Sequence, residues 1–326
     1  MPGRAVPRIQ WDANDRKGTH LSETWTTLSR SHFDLPMAQS NGTVSVIVSA
    51  YERPTHLWFI LLGLHRQSTH LDEVIIADDG SGQEVRSVIE KFASMSRIRV
   101  VHVWQKHQDY RLARSRNNAI RLTAGEYLIF LDQDCVPWAH FASAHVSFRQ
   151  PGVFRVGSCV HLDERSTAQL QEDDITSGRF ESFLNKTEMK RLRKIQRKDD
   201  FYAFVRKHLW SIKFKPKLRG GNFSIHKADL LKVNGFDENY VGWGQEDDDL
   251  GRRLYLAGMA GQSVVASAIT FHLHHPFPAD ATPRWREGRN VQYYLRKDAS
   301  AFAEVGLTKK NGAEPDDVKV HVYRRP

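Results

Sequence analysis

Short apolar runs rich in β-branched residues recur through the first 132 residues, and a helical stretch separates each from the next. The runs are Val44-Ser45-Val46-Ile47-Val48-Ser49, Glu73-Val74-Ile75-Ile76-Ala77, residues 98–104 and residues 126–131. The helical stretches cover Thr55 to Gln67, about 83–94 and the basic segment 110–123. Runs this short and this continuously apolar suit strands buried on both faces. Alternation with helices then implies a parallel, doubly wound sheet, an α/β fold. In such sheets ligands gather beyond the carboxyl ends of the strands. Ser49 through Arg53, Asp78 with Asp79, and Asp132 with Asp134 all fall at those ends.

Carboxylates dominate a second place as well. Residues 242–250 read Gly-Trp-Gly-Gln-Glu-Asp-Asp-Asp-Leu and lead into a helical stretch carrying Leu250, Leu254 and Leu256. Adjacent carboxylates repel and resist burial unless a cation or polar ligand accompanies them. At a helix start the dipole favours their charge, so an acidic first turn on a solvated face is the plain alternative. The pair Asp132-Gln133-Asp134, closing the run Tyr127-Leu128-Ile129-Phe130-Leu131, points instead to a metal and base site.

The 326 residues suffice for one large domain or two smaller ones. A net charge of +9 favours anionic partners, whether nucleotides, nucleic acid or an acidic membrane surface, without choosing among them. Two cysteines make no disulfide scaffold and suit a reducing compartment. Cys135 reads as a small buried side chain, not a nucleophile. No signal peptide or membrane-length apolar stretch is expected.

The remaining chain divides into an N-terminal extension over 1–41, a domain over 42–278 and a C-terminal helical tail over 279–326, amphipathic at 284–303. Within the domain, 163–215 is a charged, irregular insertion with a basic run from Lys186 to Lys198. That run reads as a solvated helical face or flap, or as an acceptor-side or membrane-surface element. Order returns with a strand at Asn222-Phe223-Ser224-Ile225, a helix at 227–234 and another at 246–258.

These motifs together resemble glycosyltransferase family 2, inverting enzymes with the GT-A (nucleotide-diphospho-sugar transferase, Rossmann-like) fold. The resemblance rests on Val46 to Arg53, Asp78-Asp79-Gly80-Ser81, Ala113 to Ile120 and Ala124 to Asp134. The second half, Gly220-Gly221-Asn222-Phe223-Ser224, Asn234 to Glu238 and Gly242 to Asp248, is similar to galactosyltransferases and chondroitin-type polymerases. The family implies a single domain around a mixed, mainly parallel sheet. It also implies a UDP-sugar donor, a glycan or lipid-linked glycan acceptor, and Mn²⁺ or Mg²⁺ as cofactor.

By that resemblance Asp134 binds the metal, with His272 first and His275 second among the histidines of 271–276, and His274 left open. Asp132 lies near the ribose. Asp79 receives the uracil N3–H, with Ser49 and Tyr51 beside the base and Glu52 and Arg53 in the same loop. Arg111 and Arg116 contact base or diphosphate, Gly220 and Gly221 let the backbone approach the donor, and Asn222 binds the nucleotide-sugar with Gly221. Asp247 is the general base, with Glu246 and Asp248 on sugar hydroxyls and Trp243 as a platform under a ring.

Each feature has a structural alternative: an Asp-Gly turn for Asp79, a core position for Trp243, a solvated helix face for either arginine. A zinc site is not expected, because no cysteine is expected near the histidines. The competing functions are a nucleotidyltransferase, which would need a glycine-rich loop where Ala50-Tyr51-Glu52-Arg53 stands, and a basic nucleic-acid-binding module. The latter leaves both acidic clusters unexplained, so no nucleic acid is expected. The protein is expected in the cytoplasm, free or peripheral to the inner membrane face, acting in polysaccharide biosynthesis for the cell envelope.

Overall fold

The computed structural model describes residues 26–27, 42–147, 149–209, 216–276, 287–296, 298–308 and 317–323. Apart from β1 (Thr26–Thr27), the expected extension over 1–41 lies outside them. The first half runs β2 (Val44–Ala50), α1 (Pro54–His65), β3 (Glu73–Asp78), α2 (Gln83–Met95), β4 (Arg99–Gln105), α3 (Leu112–Leu122) and β5 (Tyr127–Asp132). It continues through β6 (Cys135–Pro137), α4 (Phe141–Val146), β7 (Val153–Val156) and β8 (Ser158–His161). Then come α5 (Glu164–Gln169), α6 (Glu172–Ser177), a 3-10 turn (Arg179–Phe183) and α7 (Lys186–Leu209). The second half holds β9 (Asn222–His226), α8 (Lys227–Lys232), α9 (Glu246–Leu256), β10 (Ala260–Ser263), β11 (Ile269–His272), α10 (Arg289–Tyr294) and β12 (Val318–Tyr323).

The large sheet has the order β1-β12-β4-β3-β2-β5-β9-β7-β10. Its centre, β4-β3-β2-β5, is parallel as the alternation implied, and β9 and β12 join it antiparallel. A smaller sheet, β6-β11-β8, lies beside the carboxyl end of β5. Strand periodicity divides the core between the two faces. Val46, Val48, Ile129 and Leu131 pack with α1 and α2, whereas Ile47, Leu128 and Phe130 pack towards α3 and α9. Helix α1 is buried continuously from Leu57 to Leu64 because α2, α6 and β6 all pack on it. Pro54 begins it where a missing N–H costs nothing.

Two sequence expectations need correction. The described part of 163–215 is helical, not irregular: Leu170, Ile175, Phe180 and Leu192 are buried in the core. High charge masked a one-residue-in-several apolar stripe. The tail is not simply helical either. Its described residues hold the short α10 and then β12, whose Val-Lys-Val-His-Val-Tyr pattern is strand-like and pairs along β4.

Phe223 on β9 stacks on Phe130 of β5 at 4.3 Å between centroids, where the sheet turns antiparallel. Truncation there leaves a cavity at the junction of the two halves. Phe223→Ala is expected to lower unfolding free energy by about 3–5 kcal/mol in denaturant titration.

Candidate functional site

The carboxyl ends of β2, β3 and β5, the residues preceding β9, the start of α9 and the end of β11 meet in one region. Arg116 of α3 lies at its floor, 1 % exposed. Its Nε donates to Ser49 Oγ at 3.0 Å and its Nη2 to Asp132 Oδ1 at 2.8 Å. Its Nη1 is 3.9 Å from Glu246 Oε1, and Phe236 presents its ring face to the guanidinium. Burial opposes its charge, yet the Asp132 and Glu246 carboxylates hold its pKa above the ordinary arginine value. Its Nε and Nη2 thus donate to this chain's own oxygens, while the buried Nη1 makes no hydrogen bond.

Gly220 and Gly221 pass directly over this centre. A Cβ on Gly221 would lie 2.5 Å from Asp132 Oδ2, and one on Gly220 2.9 Å from Arg116 Nη1. Only glycine lets the chain approach so closely. Asn222, expected near the donor, is 1 % exposed and turned inward. Its Nδ2 donates to Ser158 O and Ala268 O, and its Oδ1 meets His145 Nε2 at 2.9 Å. Its side chain ties the two sheets together.

Asp134 collects the histidines. His275 Nε2 lies 3.1 Å from its Oδ2 and His272 Nε2 3.7 Å from its Oδ1, while Arg53 Nη1 stands 3.8 Å off. His274 is exposed, its backbone N–H held by Thr167 Oγ1. Burial works against the Asp134 charge, but the His275 hydrogen bond and the His272 field outweigh it, holding the carboxyl down at about 2. Two nitrogens and a carboxylate on one point form a donor set suited to a divalent cation. The expectation of no nearby cysteine fails: β6 pairs with β11 so that Cys135 stands opposite His272.

The base-side loop is held from both ends. Asp79 directly follows β3, its Oδ1 accepting from Gln105 Nε2 and its Oδ2 from the Arg111 N–H. Burial raises its pKa against those bonds. Tyr51 stacks on His107 at 4.4 Å, leaving an aromatic surface beside Asp79. Gln133 grips the Tyr51 backbone twice, through Oε1 at 3.0 Å and Nε2 at 2.6 Å. Gln133, Gln105 and His107 were missed in the sequence; amides and a lone histidine carry no motif of their own. Glu52 and Arg53 adopt positive φ values of 52° and 56°, and Glu52 Oε1 accepts the Gly82 N–H. The Arg111 side chain turns to Lys106 O and Asp317 instead of the cleft.

At α9 the four acids part ways. Asp249 is fully buried with Arg253 and is structural. Asp248 pairs with Lys217. Asp247 Oδ2 accepts the Gly220 N–H at 3.0 Å and its Oδ1 accepts the Asp248 N–H at 2.7 Å. Glu246 faces Arg116, and burial, reinforced by Asp247, pushes it up to about 7. Burial and the Asp248 charge raise Asp247 as well. Trp243 is 38 % exposed, so it is no core tryptophan; Asn290 of α10 holds its loop through Gly242 O and Gly244 O.

Comparison with known proteins finds similarity in both halves of the chain. The family model for glycosyl transferase family 2 matches residues 45–147, and one described as the N-terminal domain of galactosyltransferase matches 201–276. Validoxylamine A glucosyltransferase of Streptomyces hygroscopicus subsp. jinggangensis (strain 5008) is 28% identical over 66% of this chain and 52% of its own. Chondroitin synthase of Escherichia coli is 27% identical over 77% of this chain and 38% of its own. This chain thus spans about half or less of those relatives' length. Among solved structures, mannosyltransferase PcManGT from Pyrobaculum calidifontis, in complex with GDP-Man and Mn²⁺, has a TM-score of 0.50 at 18% identity, covering 79% of this chain and 65% of that one. GalNAc-T7 with UDP, GalNAc and Mn²⁺ has 0.51 at 14%, covering 82% and 46%. The fold is GT-A, and the family resemblance read from the motifs holds in both halves.

A carboxyl raised by folding costs nothing below its ordinary value and progressively more as pH rises through the folded one. For Glu246 that window runs from 4.5 to about 7. In metal-free protein, Glu246→Gln is expected to raise the melting temperature near pH 8 and leave it almost unchanged near pH 4. A parallel pH profile for both proteins would refute the assignment.

Proposed function

We propose that this relative of glycosyl transferase family 2 is a metal-dependent inverting glycosyltransferase. It moves a sugar from a UDP-sugar to a hydroxyl of a polysaccharide, lipopolysaccharide or other glycan acceptor. The observation that carries the reading is the joining of two centres: Asp134 with its histidines, and Asp247 at the start of α9, linked through Asp132, Arg116 and Glu246. Asp134, His272 and His275 are the residues that would hold Mn²⁺ or Mg²⁺, the DXD motif being Asp132-Gln133-Asp134. When bound, the cation would offset the charge of a diphosphate leaving group.

Asp247 acts as general base. Both its oxygens accept backbone N–H groups, which fixes the carboxylate and leaves lone pairs for one further donor. It takes the acceptor hydroxyl proton as that oxygen bonds to the sugar C1 from the face opposite the leaving diphosphate, whose C1–O bond breaks. Trp243, exposed beside the acids, stacks under a sugar ring. Asp248 and Glu246 accept sugar hydroxyls. The base rests in the Tyr51–His107 aromatic site with its ring N–H on Asp79, and Glu52, Arg53, Asp132 and Gly221 line the donor path.

No described helix is long and apolar enough to cross a membrane. We place the activity on the cytoplasmic side, peripheral to the inner membrane face, in polysaccharide biosynthesis for the cell envelope, with α7 as its basic surface.

Ligands that bind only the folded state raise its melting temperature. Thermal shift with UDP, GDP and CMP, each with Mn²⁺, Mg²⁺ or chelator, should give metal-dependent stabilisation by UDP. No nucleotide response with any metal would sink the reading. Asp134→Ala should abolish the metal dependence. Asp247→Asn should still bind UDP yet lose transfer by roughly 10²–10⁴-fold in a product assay; near-normal turnover would remove Asp247 as the base.

A further inference from the structure

One side chain at the Asp134 centre is given no role by the proposed transfer: the Cys135 thiol. Strand β6 runs antiparallel to β11 with Cys135 directly opposite His272, so the two side chains share one face of the small sheet. The thiol donates to Asp134 Oδ1 at 3.3 Å, and the same oxygen is 3.7 Å from His272 Nε2. One donor atom each from Asp134, Cys135 and His272 lies within 4.8 Å of the others. Metal–sulfur and metal–nitrogen bonds of about 2.3 and 2.0 Å place neighbouring tetrahedral ligands roughly 3.5 Å apart. Small side-chain movements therefore bring these three donors onto one cation. His275 Nε2 stands on the other Asp134 oxygen at 3.1 Å.

We infer that Cys135 is a metal ligand, and that it joins Asp134 and His272 in an Asp/Cys/His set that accepts thiophilic divalent cations (Zn²⁺, Co²⁺, Cd²⁺) as well as Mn²⁺ or Mg²⁺. The inference deepens the metal site proposed above and rests on that placement. A hard cation has little use for sulfur, whereas Zn²⁺ and its analogues gain a bond from it. Cys135 is 2 % exposed, so its sulfur faces the Asp134–His272 cluster and not solvent. On binding, the sulfur–metal bond forms as the S–H proton leaves to solvent, with no change of oxidation state. The Cys159 thiol, on β8 of the same small sheet, is a second sulfur against which the assignment can be checked.

The test is a Co²⁺ and Cd²⁺ titration of the full chain, free of histidine tags and kept reduced by a phosphine, following thiolate-to-metal charge-transfer absorption. A band saturating at a single equivalent is expected, unchanged in Cys159→Ser and lost in Cys135→Ser, with Cd²⁺ affinity reduced about tenfold or more. Melting temperatures without metal check that both variants fold. Absence of the band in the parent protein, or its survival in Cys135→Ser, would overturn the inference. Mn²⁺-dependent UDP binding by the parent protein is measured separately, so failure of the transferase reading and failure of the sulfur ligand give different results.

Discussion

A guanidinium buried to the degree of Arg116 has given up nearly all its water, a loss that only close carboxylates and hydrogen bonds can offset. Here Ser49, Asp132 and Glu246 do so from three separate elements. The arrangement makes the arginine a strut: β2, β5 and the start of α9 stay in register because each holds part of one cation. It also explains why the two glycines before β9 cannot carry side chains, since the chain must pass over a charge cluster already at contact distance. Removing the guanidinium would leave two carboxylates facing each other in a poorly hydrated place. The site's geometry and its stability therefore depend on the same residue.

Much of this was legible from the order of residues. Strand periodicity located β2, β3, β4 and β5 to within a residue or so, and the carboxyl-end rule brought Ser49, Asp79, Asp132 and Asp134 to one side. The order of β9 and α9 was also readable. What escaped was the use to which polar side chains are put once buried. Asn222 and Arg116 sit inside motifs that suggest ligand contact, yet their hydrogen bonds run to neighbouring protein atoms. One-dimensional patterns give a residue's type and neighbourhood but not its direction, and a helix with Arg111, Arg114, Arg116 and Arg121 offers several ways to turn. The tail failed for a different reason. The pairing of β12 with β4 is so distant in sequence that its alternation had no partner in view.

Backbone strain follows the same map. Glu52, Arg53 and Gln245 all have left-handed φ without being glycine, each at a cost of about 1–3 kcal/mol. They occupy the loop after β2 and the residue before α9, where Tyr51 and the acids must be aimed. Gln133 helps to hold the first of these loops, fastening the Tyr51 backbone from the turn that also carries Asp134. Aromatic surface and acidic centre are thereby set relative to one another by a single side-chain amide.

The pairing of β12 has a consequence for the chain as it is made. Asp317 grips Arg114, 203 positions earlier, and β12 covers the outer edge of β4. While the ribosome is still adding the intervening residues, that edge stands open and α3 lacks its clamp. A nascent chain in this state exposes a ready template for pairing with another strand. Whatever the speed of the early folding steps, the β4 edge is closed only by a segment synthesised long after it, and until then the newborn protein depends on dilution or chaperones to stay single.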